Sequence, residues 1–210
     1  MPCLFIQAAA HKVKKMLSAL EIRRKAFHLF LGVFIALFFY FGFINWLFML
    51  ALVAIGFIVS HFAKTKNLPI IDFLLEKFDR PQDIKKFPGK GALMLLLGIL
   101  LAMLLFEKNI AIASIMILAL GDSIAALLGP FGSIVHPLNK LKLVEGAIAG
   151  TVSGFVGAAV FVKPWIAFWG SFVAMGLETL DIEFFQTRID DNLMIPVVAG
   201  IVMTFLASLA

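Results

Sequence analysis

Charge is scarce in this chain: Asp, Glu, Lys and Arg make up 15% of 210 residues, against 62% hydrophobic, with 23 Phe. A mean hydropathy of +1.03 means more apolar surface than a globule of this size can bury, which excludes a water-soluble class and points to a membrane protein. Cysteine is nearly absent. Cys3 stands alone, so an intrachain disulfide and a cysteine-rich metal site are both excluded. No Pro-, Gly- or Ser-rich linker divides the sequence, so a single domain is expected over residues 21–210. Also missing are a GxxxxGK[ST] loop, a GxGxxG fingerprint, an HExxH pair and an HRD-type loop. Any nucleotide site must therefore be of another kind. The opening MPCLFIQAAA is followed, not preceded, by basic residues, the wrong order for a secretory signal; residues 1–20 read as a basic arm on the membrane surface.

What is present is a series of apolar runs of about 16–20 residues, the length a crossing helix needs. They run from Ile22 to Phe41, Ile44 to Phe62, Gly91 to Phe106, Ile110 to Leu128, Val144 to Phe161, Trp165 to Leu180 and Leu193 to Leu209. The expected architecture is an all-α bundle of about seven transmembrane helices. With the N-terminus in the cytoplasm, Lys108 and Lys163 alone among the 18 Lys and Arg face outward, which is the orientation the positive-inside rule selects. The outer turns are too short to build a site, so the chemistry belongs on the cytoplasmic face.

The long inner loop, residues 63–90, carries an apolar periodicity from Leu68 to Arg80 that predicts an interfacial helix. Pro69 suits its first turn and Pro81 its end; Glu76 and Arg80, four apart, are expected to pair in solvent. The basic turn Lys85-Lys86-Phe87-Pro88-Gly89-Lys90 follows, suited to anionic headgroups.

Asp122 lies more than a turn inside the fourth run, where a carboxylate costs about 2.5–3.5 kcal/mol on the insertion scale and requires a partner. Gly121 before it would let a backbone, metal or phosphate come close. In the fifth run Gly146, Gly150 and Gly154 form a GxxxGxxxG stripe for helix packing. Acidic residues gather at the inner ends of the runs: Asp122, Glu145, Glu178, Asp181, Asp190 and Asp191, with Asn192. With no basic side chain among them inside the runs, they would repel one another unless a cation joined them. Oxygen ligands of this kind suit Mg²⁺ together with substrate phosphates. Lys140, Lys142 and the amides of Gly129-Pro-Phe-Gly132 stand ready for phosphate. Carboxylates beside lysines suggest phosphoryl transfer from a nucleotide.

These residues resemble the CTP-dependent lipid-alcohol kinases, a family including dolichol, polyprenol, phytol and diacylglycerol kinases, with a remoter likeness to CDP-diacylglycerol synthases. The resemblance runs through Glu21-Ile-Arg-Arg-Lys25 with His28, Pro88-Gly-Lys-Gly91, Gly121-Asp122-Ser-Ile-Ala-Ala126 with Gly129 and Gly132, Asn139-Lys140 to Glu145-Gly146, and Glu178 to Asp190-Asp191-Asn192 with Pro196. Two departures are Ser133–Leu138, less basic than usual, and Ala147, where a hydroxyl residue is common. The resemblance implies a membrane enzyme that phosphorylates an isoprenoid or related lipid alcohol from CTP with Mg²⁺. It has no role for nucleic acid and leaves room for a homo-oligomer. Its implied catalytic residues are Asp122, Lys140, Lys142 and Glu145. The nucleotide would meet Arg24, Lys25, His28, Lys90, Gly121, Gly129, Gly132, Asn139 and Asn192, and the metal Asp122, Glu178 and Asp191. A cytidylyltransferase acting on a phosphorylated lipid and a secondary transporter are the competing readings; the transporter should show an inverted repeat and helices broken at mid-depth.

Overall fold

A computed structural model describes residues 18–140, 142–180, 183–184, 187–188 and 190–210. The expected N-terminal arm falls almost wholly outside these residues, as does Asp181. The regular structure of the described residues is helical apart from a two-residue antiparallel ladder, Glu183–Phe184 with Thr187–Arg188, and an isolated bridge between Val135 and Leu143. Ten α-helices are described: α1 (Ala19–Tyr40), α2 (Trp46–Ala63), α3 (Pro69–Phe78), α4 (Pro81–Lys86), α5 (Lys90–Leu105), α6 (Lys108–Met116), α7 (Ser123–Leu128), α8 (Val144–Ala158), α9 (Pro164–Thr179) and α10 (Asp191–Ser208). With Lys108–Phe131 taken as one continuous stretch, the long apolar helices agree with the seven apolar runs to within about three residues at each end. The caps explain why: Ser18 accepts from the Glu21 amide at 3.2 Å and Asn45 from the Phe48 amide at 2.9 Å. Pro69 and Pro164 occupy first turns, where a missing N–H costs nothing.

Among the described residues, three helical stretches are long and apolar enough to cross a bilayer: α2, the continuous Lys108–Phe131, and α10. Helices α5 and α8 are apolar but shorter. The most apolar 18 residues of Lys108–Phe131 are 72% buried within the protein, against 17% for α2, so this stretch is the axis around which the others pack. Ile112, Ile115, Ile117 and Leu118 form its enclosed core. Large apolar residues such as Phe30, Phe48 and Phe205 point outward, as expected of a bundle whose solvent is hydrocarbon.

Along this axis the α-helix widens into a π-helical segment, Ile117–Asp122, before tightening again through α7 into the 3₁₀ turn Gly129–Phe131. Such segments favour functional positions, and this one ends on Asp122. The glycine stripe packs against it. A Cβ at Gly150 would stand 2.9 Å from the Gly121 carbonyl and 2.7 Å from Met175 Cε; one at Gly146 would stand 2.8 Å from Gly129 Cα. The same contacts fill the space beside Gly121, whose own Cβ would meet Met175 Sδ at 2.8 Å. Gly121 and Gly129 thus serve helix packing, and neither faces the cavity described below.

The inner loop folds as two helices. Pro81 opens α4 instead of closing α3. Helix α3 presents Ile70, Phe73 and Leu74 outward, the apolar face expected of an interfacial helix. The turn to α5 is pinned from both sides: Ser60 donates to the Pro88 carbonyl at 2.7 Å, and Asp79 accepts from the Gly89 amide at 2.7 Å. Gly89 has φ +75°, a conformation that needs glycine.

Candidate active site

One end of the helix bundle encloses a cavity of about 640 Å³, within the range of small-ligand sites. Helix α1 supplies Glu21, Arg24 and Lys25, which follow the helix periodicity down one side from the cap Ser18. The π-helical segment supplies Asp122, and α7 supplies Ala125, Ala126 and Leu127. Lys142 and Leu143 come from the segment before α8, Gly146 and Ala147 from α8, Glu178 and Thr179 from α9, and Asp190, Asp191 and Asn192 from the start of α10. Arg80 just before α4, Gln82 and Asp83 in α4, Lys90 and Gly91 at the start of α5, and Ser18 and Pro130 complete the wall.

The two buried carboxylates of the cavity each find a lysine. Asp122 Oδ2 lies 2.5 Å from Lys25 Nζ, with both side chains nearly enclosed. Glu178 Oε1 lies 2.5 Å from Lys142 Nζ, which also donates to the Glu178 carbonyl. Asp190 Oδ2 stands 4.0 Å from Lys90 Nζ. Lys25 lies within the first apolar run and so corrects the expectation that no basic side chain stands among the acidic residues inside the runs, whereas Lys142 was expected beside them. The lysines come from the ends of other helices and reach in along flexible stems; Lys25 and Asp122 are 97 residues apart, so no local pattern announced the pair. Among the described residues no three His, Cys, Asp or Glu side chains gather closely enough to hold a metal by themselves. Asp122, Glu178 and Asp191 share one cavity without forming a cage. Asn192 donates through Nδ2 to Asp190 Oδ1 at 2.9 Å, while its own Oδ1 is buried without a hydrogen-bond partner. That oxygen is an acceptor in want of a cation or donor.

The position of α10 depends on Gly98 of α5. A Cβ at Gly98 would collide with the Asn192 carbonyl, so this glycine admits the Asp191-Asn192 turn to the cavity edge. Sequence reasoning missed Gly98, and also Glu21 and Arg80 as a pair. Arg80 Nε donates to Glu21 Oε1 at 2.8 Å, and Arg24 lies 3.3 Å from Glu21 Oε2, so Arg80 pairs across to α1 and not with Glu76. Burial works to raise the Glu21 pKa, but Arg80, Arg24 and Lys25 outweigh it and hold the carboxyl below its usual value. Burial raises Asp79, despite the amides of Gly89 and Arg80 that favour its charged form.

Other expected residues take different places. Glu145 does not line the cavity: its Oε1 accepts from the Ser133 amide at 2.6 Å and the Ile134 amide at 3.1 Å. Gly132 is small because a Cβ there would strike the Glu145 carboxylate. The amides that hold an anion are thus those of Ser133 and Ile134, just beyond the expected Gly129–Gly132 turn, whose Gly132 amide bonds the Gly129 carbonyl, and the anion is the chain's own Glu145. Lys140 is exposed and outside the cavity wall. Asn139 ties its loop to α9 by donating to the Thr179 carbonyl at 2.9 Å. His28 is buried behind the wall, its Nε2 facing Gly91 and its Nδ1 without a partner. Lys25, Arg24, Lys90, Lys142, Asp122, Glu178, Asp191 and Asn192 are the expected residues that the fold brings together.

No family model and no solved structure matches the chain. It is 29% identical over 186 residues to an uncharacterized protein of Methanocaldococcus jannaschii, covering 87% of this chain and 92% of that one. With CTP-dependent diacylglycerol kinase 1 of Schizosaccharomyces pombe it shares 24% identity over 202 residues, 86% of this chain and 90% of the kinase. With a probable chloroplastic phytol kinase of Triticum aestivum it shares 28% over 128 residues, 54% of this chain and 43% of the other. These similarities support assigning the chain to a CTP-dependent lipid kinase family.

Proposed function

We propose that this protein phosphorylates a membrane lipid alcohol of the isoprenoid type, with CTP as donor and Mg²⁺ as cofactor, at the cytoplasmic ends of about seven crossing helices. The observation that carries the reading is a single cavity in which paired lysines and carboxylates stand beside an apolar wall. A phosphate donor needs the first and a lipid acceptor the second. CTP itself comes from the named relatives, since nothing in the wall distinguishes cytosine from adenine.

The charge inventory favours a divalent ion. Among the described residues of the wall, six carboxylates oppose five Lys and Arg, so a triphosphate entering alone would meet no net positive field. Mg²⁺ binds through one or two carboxylates and leaves its other positions to water and phosphate oxygens; the donor set of Asp122, Asp191, Glu178 and the unpartnered Asn192 Oδ1 fits it. When bound, it would neutralise charge on the transferred group. Arg24, Lys25, Lys90 and Lys142 would hold the phosphates and stabilise charge on the γ-phosphoryl oxygens. The alcohol oxygen bonds to the γ-phosphorus while the bond to the β–γ bridging oxygen breaks. CDP leaves, and the hydroxyl proton passes to Asp122 or to water.

The test is product analysis. Purified protein with γ-labelled CTP, Mg²⁺ and geranylgeraniol, phytol or dolichol in mixed micelles should give labelled lipid monophosphate and CDP. Asp122→Ala should lower turnover at least a hundredfold while the protein stays folded. Formation of pyrophosphate and a CDP-lipid from a phosphorylated lipid would replace this reading with a cytidylyltransferase. Flux of solute across sealed vesicles without chemical turnover would replace it with a transporter.

A further inference from the structure

We infer that Arg80 and Arg24, set on either side of Glu21, clamp the diphosphate portion of the nucleotide, the part that leaves with the nucleoside, and that Glu21 is the positioning residue for both guanidiniums. The inference rests on the kinase reading and adds Glu21 and Arg80 to its machinery, where they give the bound nucleotide its direction.

Three observations carry it. The first is the ratio of charges in contact. Glu21 Oε1 accepts from Arg80 Nε at 2.8 Å and its Oε2 lies 3.3 Å from Arg24 Nη2, so one carboxylate serves two guanidiniums, whereas Lys25 and Lys142 each have a carboxylate of their own. Asp79, next to Arg80 in sequence, spends its oxygens on the backbone amides of Arg80 and Gly89. The positive charge left over around Glu21 suits an anion. The second is the set of donors left unmet. Arg24 Nε is buried with no hydrogen-bond partner, a costly state for a charged donor. Arg80 is anchored through Nε, and its two terminal nitrogens have no acceptor among the described residues. Both side chains line the cavity, and a planar fork of donors matches phosphate oxygens as a lysine does not. The third is depth. Arg80 and Glu21 are 43% and 26% exposed, against 13% and 6% for Lys25 and Asp122, so the Arg80–Glu21 pair stands nearer the mouth and Asp122 nearer the floor. Lys25 lies one turn beyond Glu21 on α1, about 6 Å along the axis, within reach of the next phosphate. A nucleotide held by its α- and β-phosphates at the arginines therefore directs its γ-phosphoryl group to Lys25 and Asp122, with the nucleoside toward the mouth.

The experiment measures equilibrium binding of CDP and CMP to the full chain in detergent with Mg²⁺ and no lipid alcohol. Wild type should bind CDP at least tenfold more tightly than CMP. Arg80→Gln should weaken CDP at least tenfold and CMP less than twofold. Arg80→Lys keeps the charge but cannot hold Glu21 and still offer a fork, so CDP should stay at least fivefold weaker than in wild type. Glu21→Gln separates positioning from charge: removing a negative charge beside a phosphate site would by itself tighten CDP, whereas release of both guanidiniums should weaken it at least threefold. In turnover, Arg80→Gln should raise the KM for CTP at least fivefold and leave the KM for geranylgeraniol unchanged. Thermal unfolding of each variant identifies any loss due to misfolding, and the Arg80 variants carry the test if Glu21→Gln does not fold. Equal binding of CDP and CMP by wild type would overturn the inference and leave the kinase reading intact, as would Arg80→Gln with CDP affinity within twofold of wild type or a folded Glu21→Gln that binds CDP more tightly. Absence of CDP binding together with absence of transfer to every alcohol would remove the kinase reading and the inference together.

Discussion

Replacing Lys25 with Met tests the central ion pair directly. Met keeps most of the apolar stem and removes the ammonium that lies 2.5 Å from Asp122 Oδ2. The side chains are 13% and 6% exposed, so water from the cavity only partly replaces the lost counter-ion. Breaking a buried pair from one side typically costs about 3–5 kcal/mol, because the surviving charge is left uncompensated. For a chain of this length each kcal/mol lowers Tm by about 2–4 °C, so Lys25→Met should melt roughly 6–20 °C below wild type in detergent. The double variant Lys25→Met with Asp122→Asn removes both charges, and it should recover most of that loss even though it restores no activity. The assay is a double-mutant cycle on thermal unfolding, with the coupling energy as its readout. A Lys25→Met variant within about 1 kcal/mol of wild type, or a double variant whose loss equals the sum of the singles, would refute the pairing, since contacting charges in a closed site must couple.

The remaining predictions concern the supports of the site. Gly98→Ala sets a methyl group against the Asn192 carbonyl and should destabilise the protein by about 1–3 kcal/mol as an overpacked contact; both Tm and CTP turnover should fall, and an unchanged turnover would show that the start of α10 is not held there. Glu145→Gln weakens the grip on the Ser133 and Ile134 amides, so hydrogen exchange at those two amides should quicken while the amides of α9 remain protected. Asp79 binds its proton more tightly in the folded protein than the usual carboxyl value near 3.8. Its contribution to stability is therefore full below that value and is lost as pH rises through the raised folded value. The Tm of wild type relative to Asp79→Asn should increase as pH falls from 7 toward 4, and a difference independent of pH would contradict the assignment.

Much of the fold could be read from hydropathy, because in hydrocarbon every backbone polar group must be satisfied within its own helix, so length and apolarity alone mark the segments. The glycine stripe from Gly146 to Gly154 was equally plain, since close helix approach requires small residues at a fixed interval. The individual acidic residues of the cavity stood out because a carboxylate inside an apolar run is costly and therefore conspicuous. Their partners did not. Nothing near Asp122 in sequence specifies Lys25, and nothing near Glu21 specifies Arg80 over Arg23 or a lysine of the loop.

The sequence by itself determined that the chain is a helical membrane protein, roughly where its long apolar helices lie, and which residues carry charge into the apolar interior. Only the tertiary structure decided what those charges meet. It paired Asp122 with Lys25 and Glu178 with Lys142, turned Glu145 from the cavity to the amides of its own turn, and left Lys140 outside. The physical reason is range: a helix is fixed by neighbours three and four residues away, whereas a buried charge is neutralised by whichever side chain the packing of distant helices brings within a few ångströms.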